Sequence, residues 1–210
     1  MKIAIIGTGN VGSAIAHGLK GKGYSLILGA RDPGDDSTRA LAAETGATVA
    51  TPANAVTGAD IVILALPWAA AEAAIRALGT LDGKIVIDCM NPLGMADGKL
   101  SLVLGHTTSG GEIVQGWLPE ARVVKTLNQV GAEMVADNRR LPHHPVMFMA
   151  GNDAAAKASV AVLLTDLGFA ALDAGDITKS RLLEPFAMVW INQALFRGKG
   201  RTWAFAAVEG

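Results

Sequence analysis

Short apolar runs alternate with amphipathic, alanine-rich stretches along most of this chain, the pattern of strands and helices taken in turn. Ile3–Ile6 reads as a first strand and Val11–Lys20 as the helix after it. Ser25–Leu28 is a second strand, Thr38–Thr45 a short helix stopped by Gly46, Thr48–Ala50 a third strand and Pro52–Thr57 a helical turn. The run Ile61-Val62-Ile63-Leu64-Ala65-Leu66 has no polar position, as expected of a central parallel strand covered on both faces. A helix over Ala69–Leu78 and a strand over Lys84–Asp88 continue the rhythm. Glycine-rich Leu93–His106 reads as a long loop over the carboxyl edge of the sheet, followed by a capped helix from Thr108 to about Trp117. Strands at Arg122–Leu127, Val146–Ala150 and Ala170–Asp173 and a helix over Asp153–Leu167 follow. A final helix spans Ile177–Phe196 and contains Pro185. This order predicts an α/β chain: a Rossmann-type, doubly wound, mostly parallel sheet with a small C-terminal portion ending in a long helix.

The first strand runs into Gly7-Thr8-Gly9-Asn10-Val11-Gly12. With 25 glycines in 210 residues, a lone GxGxxG is weak. Placed between a strand and a helix it gains a mechanism, because backbone N–H groups and the positive helix end then face a pyrophosphate. Gly7 permits the tight turn, Gly9 lets the backbone approach the phosphates, and Gly12 lets the helix pack on the strand. The motif predicts dinucleotide binding.

In NAD-binding versions of this fold an acid at the end of the second strand binds the ribose hydroxyls. Here Leu26-Ile27-Leu28 is followed by Gly29-Ala30-Arg31. A guanidinium at Arg31 suits a 2′-phosphate, which favours NADP over NAD. Asp32 precedes Pro33 in a polar loop and is more simply a turn residue. Residues 1–120 are therefore expected to form an NADP-binding domain, and 121–210 a substrate or dimerisation portion continuous with the same sheet.

Composition narrows the setting. Half the residues are hydrophobic, enough for a large core. A net charge of −1 gives no footprint for nucleic acid or an anionic membrane. No apolar run reaches the ~20 residues of a bilayer span, and Met1-Lys2 leads directly into the first strand with no signal-peptide pattern. The single cysteine, Cys89, reads as a small buried hydrophobe, and no spacing of Cys or His points to a metal. These features favour a cytoplasmic protein. Phe186, Val189 and Trp190 lie at helical spacing and read as core or homodimer contacts.

Several segments resemble one family. Gly7–Gly12 with Gly29-Ala30-Arg31, Leu66-Pro67-Trp68, Val123-Val124-Lys125-Thr126-Leu127-Asn128, Asp173-Ala174-Gly175 and Ser180-Arg181-Leu182-Leu183-Glu184 are similar to the coenzyme F-420-dependent NADP reductases. The oxidoreductase domains of the Steap metalloreductases share much of this pattern. The resemblance implies hydride transfer between a nicotinamide and a stacked deazaflavin (F-420) or flavin ring. It implies Thr8, Asn10 and Val11 at the pyrophosphate, Ala30 and Arg31 at the 2′-phosphate, and Leu66, Pro67 and Trp68 along the cofactor. Asn91 and Pro92 would then flank the nicotinamide, and Asn128 would approach its carboxamide or the second substrate.

No acid–base constellation stands out. His17 falls within the first helix and His143-His144 in a proline-bounded turn, so all three read as structural or exposed. His106, in the loop over the cleft, and Lys125, on a strand, are the residues left as substrate contacts. Ring-to-ring hydride transfer asks the protein mainly for positioning and exclusion of water, which fits this scarcity. An NADPH-dependent reductase of a small imine or carbonyl is the alternative and would need a proton donor. A catalytically silent NADP-binding sensor is the other.

Overall fold

The computed structural model describes residues 1–208 and 210. The first half of the chain runs β1 (Lys2–Ile6), α1 (Asn10–Leu19), β2 (Ser25–Gly29), α2 (Asp36–Thr45), β3 (Thr48–Ala50), α3 (Pro52–Val56), β4 (Ile61–Leu64), α4 (Trp68–Arg76) and β5 (Ile85–Asp88). A hairpin of β6 (Leu93–Ala96) and β7 (Lys99–Leu102) follows, then α5 (Gly110–Trp117), β8 (Arg122–Lys125) and α6 (Ala132–Ala136). The chain finishes with β9 (Val146–Gly151), α7 (Ala154–Asp166), β10 (Ala170–Gly175) and α8 (Ser180–Ile191). A 3-10 turn, Ile177–Lys179, precedes α8 and a π-helical turn, Asn192–Phe196, ends it. Among the described residues no helix is long and apolar enough to cross a membrane.

Eight strands form one sheet in the order β3-β2-β1-β4-β5-β8-β9-β10. Neighbours run parallel except at β8 and β9, where Val124 faces Gly151 and Lys125 faces Ala150 in antiparallel register. Alternation along the strands feeds two cores, because successive side chains point to opposite faces. Ile3, Ile5, Ile61, Ile63, Ile85 and Ile87 enter the core shared with α1 and α7. Ala4, Ile6, Val62, Leu64 and Val86 enter the core on the opposite face. Burial on both faces explains why β4 carries no polar residue.

The chain leaves β1 toward β2 on one side and returns to β4 on the other. Open α/β sheets bind ligands at such a switch point, outside the carboxyl ends of the strands.

One expectation needs correction. Leu93–His106 is not all loop: Leu93 pairs with Leu102 and Ala96 with Lys99 around the two-residue turn Asp97-Gly98. Both turn residues have positive φ, 49° and 71°. That conformation makes a tight hairpin and suits Asp-Gly. The terminal helix runs over Ile177–Phe196 as expected, its α-helical part Ser180–Ile191 tolerating Pro185 inside it. Its Trp190 is buried and donates from Nε1 to the Trp203 carbonyl at 2.9 Å, while Val189 is exposed. Leu93 and Leu100 of the hairpin pack on the end of this helix beside Trp203 and Phe205.

Candidate functional site

The turn after β1 is tightly constrained. Gly7 has φ 101°, and a Cβ there would stand 2.3 Å from the Ala65 carbonyl oxygen after β4. A Cβ on Gly12 would stand 1.9 Å from the Gly7 carbonyl oxygen. Gly9 differs: its φ is −74°, open to any residue, and a Cβ would meet nothing within 4 Å. It occupies the N-cap of α1 without a side-chain cap, and no acid sits in the first turn. The first amides of the helix have no intrahelical partner and point out of this turn. Thr8 accepts a hydrogen bond from Ser13 Oγ at 3.0 Å, and Asn10 is exposed beside half-buried Val11.

At the end of β2, a Cβ on Gly29 would lie 2.6 Å from Ile6 Cδ1 and 3.3 Å from Ala55 Cβ and from Pro52 Cα. Close packing of Ile6 and α3 therefore crowds any side chain at this position. Ala30 is buried and donates its N–H to the Ala50 carbonyl at 3.0 Å. Arg31 is exposed and forms no ion pair among the described residues. Asp32 folds back to accept from the Gly34 N–H at 2.8 Å, and Asp35 caps α2 through the Thr38 N–H. Asp32 is thus a turn residue, as its place before Pro33 predicts.

Three further strand ends complete the cleft. After β4, half-buried Leu66 and exposed Pro67 lead into Trp68, whose ring stacks on Trp117 of α5 at 5.7 Å. After β5 comes Asn91, followed by buried Pro92. After β8, Leu127 holds a left-handed φ of 59°, an uncommon conformation for a branched residue. It sets Asn128 opposite Asn91. Asn91 Nδ2 donates to the Asn128 carbonyl, and Asn128 Nδ2 donates to Asn91 Oδ1, both at 2.9 Å. Gln129 supports the pair from behind: Nε2 donates to Asn128 Oδ1 and to the Phe148 carbonyl, each at 2.9 Å.

Lys125 does not face the cleft. It is fully buried, its Nζ 3.0 Å from Asp88 Oδ2 and 2.9 Å from Glu184 Oε1, and it also donates to the Met90 carbonyl. Burial works against its charge, but attraction and hydrogen bonds from Asp88 and Glu184 outweigh it and hold the ammonium above the usual lysine range. All three N–H donors are committed. Glu184 Oε2 and Oε1 also accept from the Gly110 and Gly111 amides at 3.0 and 3.1 Å, capping α5. Asp88 Oδ1 accepts from the Met90 N–H at 2.9 Å. Neither carboxylate stands out in the sequence as a site residue. The available signal is that Asp88 and Lys125, opposite in charge, each end an apolar strand.

His106 lies exposed in the loop between β7 and α5, with a left-handed φ of 57°. His17, His143 and His144 are exposed as well. Cys89 is buried, and its surroundings push the thiol well above its usual range, so it sits as an inert apolar group. The arrangement is a crevice with the glycine turn and the first amides of α1 at one end, the Asn91–Asn128 amide pair at the other, and exposed His106 on the β7–α5 loop.

Comparison with known proteins agrees with this geometry. Residues 2–92 match the family described as NADP oxidoreductase coenzyme F420-dependent. A crystal structure of a proposed F-420-dependent NADP-reductase from Arthrobacter sp. FB24 is 37% identical, with a TM-score of 0.90 and full coverage of both chains. Metalloreductase STEAP3 of Rattus norvegicus is 27% identical over 87% of this chain, which spans only 36% of that longer protein. A reductive aminase from Aspergillus terreus in complex with NADPH is 22% identical (TM-score 0.69, 94% of this chain and 63% of that one) and shares the fold. Matched end to end by the Arthrobacter protein and over residues 2–92 by the family, this chain belongs to the coenzyme F-420-dependent NADP oxidoreductases.

Proposed function

We propose that this chain transfers a hydride between NADPH and a deazaflavin, coenzyme F-420, or a flavin-like acceptor. The observation that carries the reading is Gly9. Neither its backbone conformation nor any protein neighbour requires glycine there, so the remaining demand for a missing side chain is a ligand approaching the backbone. In this reading Gly7, Thr8, Gly9, Asn10, Val11 and Gly12 hold the pyrophosphate at the start of α1, and Ala30 and Arg31 receive the 2′-phosphate. Leu66, Pro67 and Trp68 line the path of the cofactor. Asn91, Pro92 and Asn128 flank the nicotinamide, and His106 stands on the loop nearest the second substrate.

When bound, the dinucleotide supplies a hydride from C4 of its dihydronicotinamide, and the acceptor takes it up with a proton from solvent. This chain's own residues bind, orient and exclude water. Lys125, held in its buried ion pairs, is withdrawn from the crevice as a proton donor, which favours a ring acceptor over a small imine or carbonyl. Residues 1–120 are proposed as the NADP-binding part and 121–210 as the substrate and dimerisation part. Leu182, Val189 and Phe196, exposed at 63%, 51% and 56%, support a homodimer formed through the C-terminal helix. Light scattering that finds only a 21.6 kDa species overturns the dimer.

The testing experiment is anaerobic NADPH oxidation against F-420, FMN, FAD, ferric chelates and quinones, with a small cyclic imine and a small carbonyl compound run alongside. Turnover with F-420 or a flavin is expected. Turnover confined to imines or carbonyls, with a clear acid limb in its pH profile, favours the alternative. Tight NADPH binding with no turnover favours a sensor.

A further inference from the structure

The most heavily buried charges of the molecule lie directly under the crevice and are used by no binding role above. Asp88, Lys125 and Glu184 are 0%, 0% and 1% exposed. Such a cluster is an expensive way to stabilise a core, since apolar residues of similar volume do as well or better. Its connections point to another purpose. Asp88 Oδ1 holds the Met90 N–H, and Lys125 Nζ holds the Met90 carbonyl, so both backbone polar groups of Met90, in the two peptide units that lead into Asn91, are gripped by the cluster. Glu184 ties the same ammonium to α8 and to the first amides of α5. The residue before Glu184, Leu183, accepts at its carbonyl from Asn128 Nδ2 at 3.3 Å. Both members of the Asn91–Asn128 pair are therefore fixed relative to one buried ammonium.

We propose that Lys125, gripped by Asp88 and Glu184, is a positioning residue for hydride transfer: it sets the Met90–Asn91 turn and registers α8 against it, so that the Asn91–Asn128 pair presents a fixed edge to the nicotinamide. This rests on the reading that the crevice binds NADPH. Phosphate-end binding belongs to the turn after β1 and is independent of the cluster. Misplacement of the ring alone slows the chemical step while leaving cofactor affinity nearly intact.

The test uses Glu184→Gln and Asp88→Asn. Each leaves one ammonium facing one carboxylate, so neither strands an unpaired buried charge as removal of Lys125 would. Kd for NADPH, from fluorescence titration, is expected to stay within about threefold of the parent, while kcat with F-420 or FMN falls about 10- to 100-fold. Emission of the bound dihydronicotinamide, which needs no acceptor, is expected to shift in both variants. A lowered melting temperature with kcat and emission unchanged overturns the proposal and leaves the cluster a structural element. Should the parent chain bind no NADPH, the functional reading itself falls, and this inference with it. Should it bind NADPH but turn over neither acceptor, the emission shift alone decides.

Discussion

Asn91 and Asn128 exchange hydrogen bonds across the carboxyl ends of β5 and β8, side chain to side chain and side chain to backbone, at 2.9 Å each. The two residues are 37 positions apart in sequence, and the exchange fixes the orientation of both amides. Asn128 is buried and also accepts from Gln129, so replacing it strands polar partners. Asn128→Ala is expected to lower stability by about 1–3 kcal/mol, the cost of leaving buried donors and acceptors unpaired. Asn91→Ala, at a half-buried position, is expected to cost less. The double variant is expected to cost less than the sum, because either single change already breaks the exchange. Denaturant unfolding of the four proteins measures this coupling, and additivity disproves it.

The glycines of the first turn separate folding from binding. Gly12→Ala puts a Cβ 1.9 Å from the Gly7 carbonyl oxygen and forces α1 away from β1. It is expected to cost about 1–3 kcal/mol or more, typical of overpacking a tight contact. Gly9→Ala meets open space and is expected to leave the melting temperature within a few degrees of the parent. Its cost appears instead in NADPH affinity, where the added methyl takes the place of a phosphate oxygen. Thermal melts and NADPH titration of both variants check the contrast. If Gly9→Ala binds NADPH as the parent does, the pyrophosphate does not lie on this turn.

Arg31 has no ion-pair partner to lose among the described residues. Removing it should leave stability unchanged and act on the cofactor alone. A guanidinium on a phosphate is worth about 1.5–3 kcal/mol, or roughly 10- to 100-fold in affinity. Arg31→Ala is therefore expected to weaken NADPH by that factor and NADH hardly at all. Equal losses for the two cofactors would remove the 2′-phosphate assignment.

Most of the fold is legible because both faces of the sheet are buried, which turns strands into unbroken apolar runs that are hard to miss. Ile61–Leu64 is one such run, and Gly46, with φ 74°, ends α2 where its position predicts. The β6–β7 hairpin is harder to read, since Leu93-Gly94-Met95-Ala96 lacks β-branched residues and clear alternation. Its one strong signal is Asp97-Gly98, which takes the positive φ angles such a dipeptide favours. The site divides in the same way. The turn at Gly7–Gly12 and the place of Arg31 after β2 are legible because local sequence dictates local geometry there. The partnership of Asp88, Lys125 and Glu184 depends on strand order and on how α8 packs, which no local pattern encodes. Lys125 therefore reads as a contact for substrate when it is a buried strut.

Tyr24 gives a pH dependence with a direct readout. Its hydroxyl donates to Asp166 Oδ2 at 2.5 Å, joining the segment before β2 to the end of α7. Burial, the hydrogen bond to Asp166 and repulsion from that carboxylate push the phenol up to about 12, from 10.0. The folded chain thus holds this proton more tightly than the unfolded chain. The resulting stability is fully present below about pH 10 and is lost as pH rises through the interval up to about 12. The chain has one tyrosine, so tyrosinate absorbance follows this group alone. The folded protein is expected to titrate above the unfolded chain, and Tyr24→Phe is expected to lose less stability than the parent between about pH 10 and 12, the range these values span. Parallel alkaline unfolding curves for the two proteins would show that the contact contributes nothing to the pH dependence.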